Sequence, residues 1–139
     1  MNRDLLKAEL IRDEGQRVRL YQDLNGIPTI GIGHNLDAKP ISAAVVDLLF
    51  DEDMNDVETD LDRELPWWRT LDDGRQRVLA NMCFNMGIGT LLTFKQTLSA
   101  IEHGHYEEAA QQMLRSRWAR QVGARANRLA VRMRIGSDE

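Results

Sequence analysis

Apolar residues recur at helical spacing over most of the chain, with one short exception near the start. Leu6, Leu10 and Ile11 predict a first helix over about 3–13, opened by Asn2 as N-cap with Asp4 in the first turn and stopped by Gly15. Val46, Phe50, Met54, Val57 and Leu61 recur at gaps of four, four, three and four, which predicts an amphipathic helix over about 42–64. Ser42 is its expected cap and Pro66 its limit. At 1.5 Å per residue it spans about 30–36 Å. Between these helices the period changes. Val18 and Leu20 alternate with polar residues as in a half-buried strand, Asn25-Gly26 is a hairpin turn, and Thr29-Ile30-Gly31-Ile32-Gly33-His34 reads as the return strand. Glycines between its isoleucines let a backbone or a ligand approach closely. Asn35 to Pro40 reads as a loop.

Downstream, Leu65-Pro66-Trp67-Trp68 reads as a loop whose tryptophans pack in a core or interface rather than on a sugar. Asp72 or Asp73 caps a helix with Val78, Leu79, Met82, Cys83 and Met86 on one face, stopped by Gly87. Phe84 falls off that face. Gly87 to Gly89 reads as a turn, followed by a helix carrying Phe94, Leu98 and Ile101 that breaks at Gly104. Tyr106, Ala110, Met113, Leu114 and Trp118 mark one further helix, and Leu129 and Met133 the last. One hairpin among many short helices is an α+β fold, mostly α-helical. With no repeat or linker, the 139 residues are read as a single domain.

The net charge of −4 conceals a sharp asymmetry. Acids crowd Asp47 to Glu64, whereas from Ala109 to Ser137 the only charged residues are the arginines at 115, 117, 120, 125, 128, 132 and 134. Such a basic end favours a polyanionic partner, either bacterial wall or nucleic acid. Cys83 is the single cysteine, so no internal disulfide forms, and its apolar surroundings make it a core thiol. No stretch is apolar enough for a membrane span, and residues 1–15 are too charged for a signal-peptide core. The three histidines share no ligand spacing, so no metal is expected.

The first helix ends on Asp13 and Glu14, where the negative pole of the helix dipole disfavours each carboxylate by roughly 0.3–1 kcal/mol. Carboxylates placed against local physics point to a task beyond folding. Glu14, the hairpin Asp23 and the hydroxyl of Thr29 are the kinds of group that cleaving a glycosidic bond needs: one protonated carboxyl group to donate to the leaving oxygen, and one carboxylate to manage water or the oxocarbenium charge. Alone, Asp23 before Asn25-Gly26 reads as a turn residue and Thr29 as a strand residue.

The run Asp13-Glu14-Gly15, with eight residues between Glu14 and Asp23, five between Asp23 and Thr29, and then Thr-Ile-Gly-Ile-Gly-His to His34, resembles the bacteriophage-type lysozymes. These are the muramidase endolysins typified by those of T-even phages, glycoside hydrolase family 24. The likeness continues through Asn81 to Gly87 and Ser116-Arg117-Trp118 to Arg128. It implies a small hairpin lobe (about 14–40), a connecting helix (about 42–64), and a helical lobe (about 66–139, with helix 3–13). The short link from His34 to Ser42 departs from the T-even pattern, so an extra small-lobe helix is expected to be missing. The resemblance further implies hydrolysis, by inversion, of the β-1,4 bond between N-acetylmuramic acid and N-acetylglucosamine. Glu14 would be the acid, and Asp23 and Thr29 would hold water. Implied substrate contacts are Asn35, Phe84, Thr97 and Gln112, with Asn85, Arg117 and Gln121 lining the cleft. Arg125 would sit near the acid, and His34 would pair with Asp53 to stabilise the fold. No metal or organic cofactor is implied. Peptidoglycan is the expected partner of a monomeric, phage-encoded protein held in the host cytoplasm until a holin releases it or a tail delivers it. The rival reading is a binding module that holds wall glycan without cutting it, or holds nucleic acid through Arg115 to Arg134.

Overall fold

The computed structural model describes residues 1–137. Their contacts gather into two compact units, Met1–Leu49 and Phe50–Glu139, with the division inside one long helix.

The first unit opens with α1 (Arg3–Glu14), which begins where Asn2 Oδ1 accepts from the N–H groups of Asp4 and Leu5 at 3.0 and 3.1 Å. It stops where Gly15, at φ +79°, gives its N–H to Ile11. Three antiparallel strands follow in the order β1 (Arg17–Gln22), β2 (Pro28–Gly31) and β3 (His34–Asn35). The expected return strand is therefore two strands. The chain reverses at Gly31 to Gly33, both glycines lying at positive φ, so that Ile30 pairs with His34 and Thr29 with Asn35. Nor is the Val18 and Leu20 face half-buried: both are exposed, and Tyr21 is the half-buried residue. The pairing of β1 with β2 slips between Arg17 and Tyr21, under those two side chains, so regular alternation is lost there. The expected loop from Asn35 to Pro40 gives up Asn35 to β3, and residues 36–40 hold turns and no helix.

The long helix α2 (Ala43–Glu64) starts where Ser42 Oγ accepts from the N–H of Val45, and its 22 residues span about 33 Å.

In the second unit Val57 and Leu61 of α2 enter a core shared with α3 (Asp73–Met86), α5 (Lys95–Glu102), α6 (Tyr106–Arg115) and α8 (Ala124–Ile135). Pro66–Thr70 is a 3₁₀ turn rather than a loop, and it buries Trp68, whose Nε1 donates to Asp62 at 2.7 Å. Hydrogen bonds from Arg69, then from Trp68, hold the Asp62 carboxyl below the usual range. Cys83 lies in the core, where burial, with Asp60 nearby, pushes its thiol up and keeps it protonated. Two helical boundaries differ from expectation. Gly87 to Gly89 leads directly into a helical turn, α4 (Ile88–Leu91), and Phe94 precedes α5 instead of riding on it. The apolar row from Tyr106 to Trp118 belongs to two helices, because Ser116 leaves α6 in extended backbone and caps α7 (Arg117–Val122) through the Ala119 N–H.

The start of α3 is clamped to the end of α8. Arg75 donates to the carbonyls of Met133 and Arg134, pairs with Asp72 at 2.9 Å, and lies 3.5 Å over the ring of Tyr106. Burial would raise the Asp72 carboxyl, but hydrogen bonds from the Arg75 side chain and backbone and from Ser137 outweigh it and hold the group below its ordinary 3.8. A depressed carboxyl stabilises the fold above its unfolded pKa, and that stability is lost as pH falls through the folded value. The Asp72→Ala variant is thus expected to lose about 1–2 kcal/mol at neutral pH. The deficit should close as the solution is acidified below 3.8; thermal melts across pH check this.

Gly74 closes the clamp, for a Cβ there would lie 2.6 Å from the Gly136 carbonyl oxygen and 2.8 Å from the Ser137 nitrogen. Helix propensity favours alanine over glycine by about 1 kcal/mol. Backbone atoms cannot swing aside, so the clash outweighs that gain, and Gly74→Ala is expected to lose about 1–3 kcal/mol net. Its melting temperature should fall by about 3–5 °C per kcal/mol, with turnover at 25 °C kept.

No described helix is long and apolar enough to cross a membrane.

Candidate active site

In the first unit the hairpin and the end of α1 carry three of the expected residues. Glu14 is the last residue of α1, and its side chain lies against the β2–β3 reversal: a Cβ on Gly33 would meet its Cγ and Oε2 at 3.2 Å. Glycine is favoured at 33 by φ +66°, and a side chain there would also press on the Glu14 side chain.

Asp23 sits one residue beyond β1. Its Oδ1 accepts from the N–H groups of Asn25 and Ile27 at 2.8 and 3.0 Å, and its backbone pairs with Ile27 and Gly26 across the turn. The turn role expected of an aspartate there is real, and it uses one oxygen only. Within this unit Oδ2 takes no hydrogen bond.

Thr29 is paired with Tyr21 on one side and Asn35 on the other. Opposed residues share a face and side chains two apart along a strand return to it, so Tyr21, Asp23, Thr29 and Asn35 belong to one face of the sheet. Thr29 is 3% exposed and gives its hydroxyl proton to the Ile27 carbonyl at 2.8 Å. Its oxygen is left with lone pairs, able to accept from a water and unable to donate to one.

His34 donates from Nε2 to the Lys39 carbonyl at 2.8 Å, bracing the loop after β3. Its expected partner Asp53 is an exposed residue of α2.

In the second unit the remaining residues fall around two cavities. Thr97 and Gln112 line one of about 710 Å³, with Arg117 and Gln121. Trp118 and Phe94 form one wall as an edge-to-face pair, 6.3 Å between centroids. Asn85 is tied to that wall, its Oδ1 accepting from Trp118 Nε1 at 2.7 Å. Phe84, 54% exposed, lines the other cavity, of about 470 Å³, together with Arg125, whose Nε donates to Asn81 Oδ1 at 2.9 Å. Sequence reasoning passed over Lys95 and counted Arg115 only as part of the basic end; both line the larger cavity and are unpaired within the unit. Their signal was available: basic side chains one turn or less from Thr97 and Gln112 with no acid beside them.

Among the described residues, no group of three His, Cys, Asp or Glu could hold a metal ion.

The phage lysozyme family model matches residues 12–134, from the end of α1 to the end of α8. The chain belongs to the phage lysozyme family. As a member it is a lysozyme-type glycosidase, a peptidoglycan hydrolase, with the mostly helical α+β fold expected of it. The probable T4-type lysozyme 1 of Dictyostelium discoideum is 29% identical over 161 aligned positions, covering 95% of each chain. Probable T4-type lysozyme 2 of the same organism is 31% identical, covering 89% of this chain and 90% of its own. The pre-baseplate central spike protein Gp5 of Enterobacteria phage T4 is 30% identical over 99% of this chain, which spans only 29% of that protein's length.

Proposed function

We propose that the protein cleaves the β-1,4 bond between N-acetylmuramic acid and N-acetylglucosamine by single displacement with inversion. Glu14 gives its proton to the leaving glycosidic oxygen. Water enters from the opposite face of the sugar, its oxygen bonding to the anomeric carbon while one of its protons passes to Asp23. Phe84, Thr97 and Gln112 contact the glycan, and no cofactor takes part.

One observation carries this reading: the strand register that gives Asp23 and Thr29 a common face, with one carboxylate oxygen of Asp23 uncommitted and the Thr29 hydroxyl held as an acceptor. A nucleophilic water has two O–H groups to place, and these two oxygens accept a hydrogen bond from one each, Asp23 then taking its proton as the water attacks. A general base of this kind accelerates such a step by about 10²–10⁴. The unpaired exposed arginines at 115, 117, 120 and 128 suit a wall rich in carboxylates. The biological setting we infer is phage-encoded lysis of a bacterial host.

Mass spectrometry of purified sacculi digested by the protein tests the reading. Products ending in reducing N-acetylmuramic acid are expected. Ends of 1,6-anhydro sugar would make the protein a lytic transglycosylase, and intact sacculi would favour a module that binds wall without cutting it.

A further inference from the structure

The strand reversal at Gly33 places beside Thr29 a residue whose partner atoms are unusually well defined. Thr29 and Asn35 are direct neighbours across β2 and β3. The adjoining pair, Pro28 and Leu36, is joined by the Leu36 N–H to the Pro28 carbonyl at 2.9 Å. Bonded and non-bonded pairs alternate along an antiparallel ladder, so Thr29 and Asn35 form a non-bonded pair, the kind in which side chains stand closest, Cβ atoms about 4.5–5.5 Å apart.

The orientation of the Asn35 amide is fixed as well. Its side-chain oxygen accepts from the Ala38 N–H at 2.9 Å, and a backbone N–H can only donate, so the atom facing it is Oδ1 and not Nδ2. Lys39 N–H bonds to the Asn35 carbonyl at 3.0 Å and His34 to the Lys39 carbonyl, which hold the loop that positions this side chain. The NH₂ group is left with both donors unused within the unit.

We propose that Asn35 holds the attacking water by donating an N–H to the lone pair that does not attack. The inference rests on the assignment of Asp23 and Thr29 above and completes it. A water poised to attack has four directions to satisfy: two protons, one lone pair aimed at the anomeric carbon and one left over. Asp23 and Thr29 are both acceptors as they stand, so they can receive only protons. The fourth direction calls for a donor on the same face, and Asn35 supplies it. In the reaction the water oxygen bonds to the anomeric carbon, one proton goes to Asp23, the glycosidic carbon–oxygen bond breaks, and the departing oxygen takes the Glu14 proton. Asn35 neither gains nor loses a proton. This role differs from the substrate contact that resemblance alone implies for the position.

The test uses Asn35→Asp, because aspartate keeps an oxygen for the Ala38 N–H and so keeps the loop, but has no N–H to give. Steady-state kinetics on soluble, uncrosslinked glycan chains released from sacculi should show kcat lowered by about tenfold or more, with KM within about twofold and an unchanged melting temperature. If the variant melts early, the same kinetics are recorded well below its melting transition, where kcat should still fall by about tenfold or more. A raised KM at parental kcat would make Asn35 a substrate contact and overturn the proposal. Parental values of both constants would make it a loop brace and overturn it equally. Asp23→Asn is run alongside. If it is inactive while Asn35→Asp is parental, only the role of Asn35 is lost; if Asp23→Asn is itself fully active, the assignment beneath the inference is lost with it.

Discussion

Glu14→Gln is expected to lower kcat on purified sacculi by about 10²–10⁴, to the limit of detection, with the fold intact. Glutamine matches glutamate in shape, so it can occupy the same place against Gly33, where the Glu14 side chain rests with its Oε2 3.2 Å from the position of an added Cβ. It ends a helix at which a carboxylate is disfavoured, so the neutral amide should leave stability unchanged or raise it by up to about 1 kcal/mol. Activity and stability moving in opposite directions is a pattern no structural role for Glu14 produces. A melting curve and a turbidity assay on permeabilised cells read the two quantities. Parental lysis by the variant would remove Glu14 as the acid.

Asp23→Asn has the next largest expected effect, a fall of about 10²–10³ in kcat with KM little changed. The substitution separates the two tasks of the residue. The turn needs only Oδ1, which accepts from Asn25 and Ile27, and asparagine keeps that oxygen and is itself a favoured turn residue. What it loses is the second, uncommitted oxygen as a proton acceptor, replaced by a donor that opposes the water. Asp23→Ala, by contrast, should lose both the turn and the chemistry, and therefore melt earlier as well. A loss of activity confined to the alanine variant would mean that Asp23 only shapes the hairpin.

Much of this was legible in the chain because the signals were local. Asn2, Gly15, Ser42, Asp72 and Gly87 begin and end helices as their chemistry predicts, and the apolar faces of α2 and α3 enter the core at Val57, Leu61, Val78, Leu79, Met82 and Cys83. The misses share a cause: a nonlocal partner or a local backbone break decided the outcome. Val18 and Leu20 alternate, but the slipped pairing beneath them removes the face that alternation would have marked. Gly31 and Gly33 read as room for close approach, and Gly33 does admit Glu14; their positive φ also turns the chain, which spacing alone does not reveal. Ser116 interrupts an apolar row whose period continues through it, so the break between α6 and α7 was invisible to periodicity. The same limit holds for the candidate site. Glu14, Asp23 and Thr29 stand out in the motif, whereas the pairing of Asn35 with Thr29 exists only once the chain has reversed at Gly33.

The stereochemistry of the first product tests the central claim most directly. Proton NMR during digestion of soluble glycan chains, recorded before the new reducing ends interconvert, reads the anomer as it forms. Attack by water on the face of the sugar opposite the acid predicts the α-anomer of N-acetylmuramic acid first, relaxing later to the mixture. The β-anomer appearing first would mean a covalent or retained intermediate and would contradict the account.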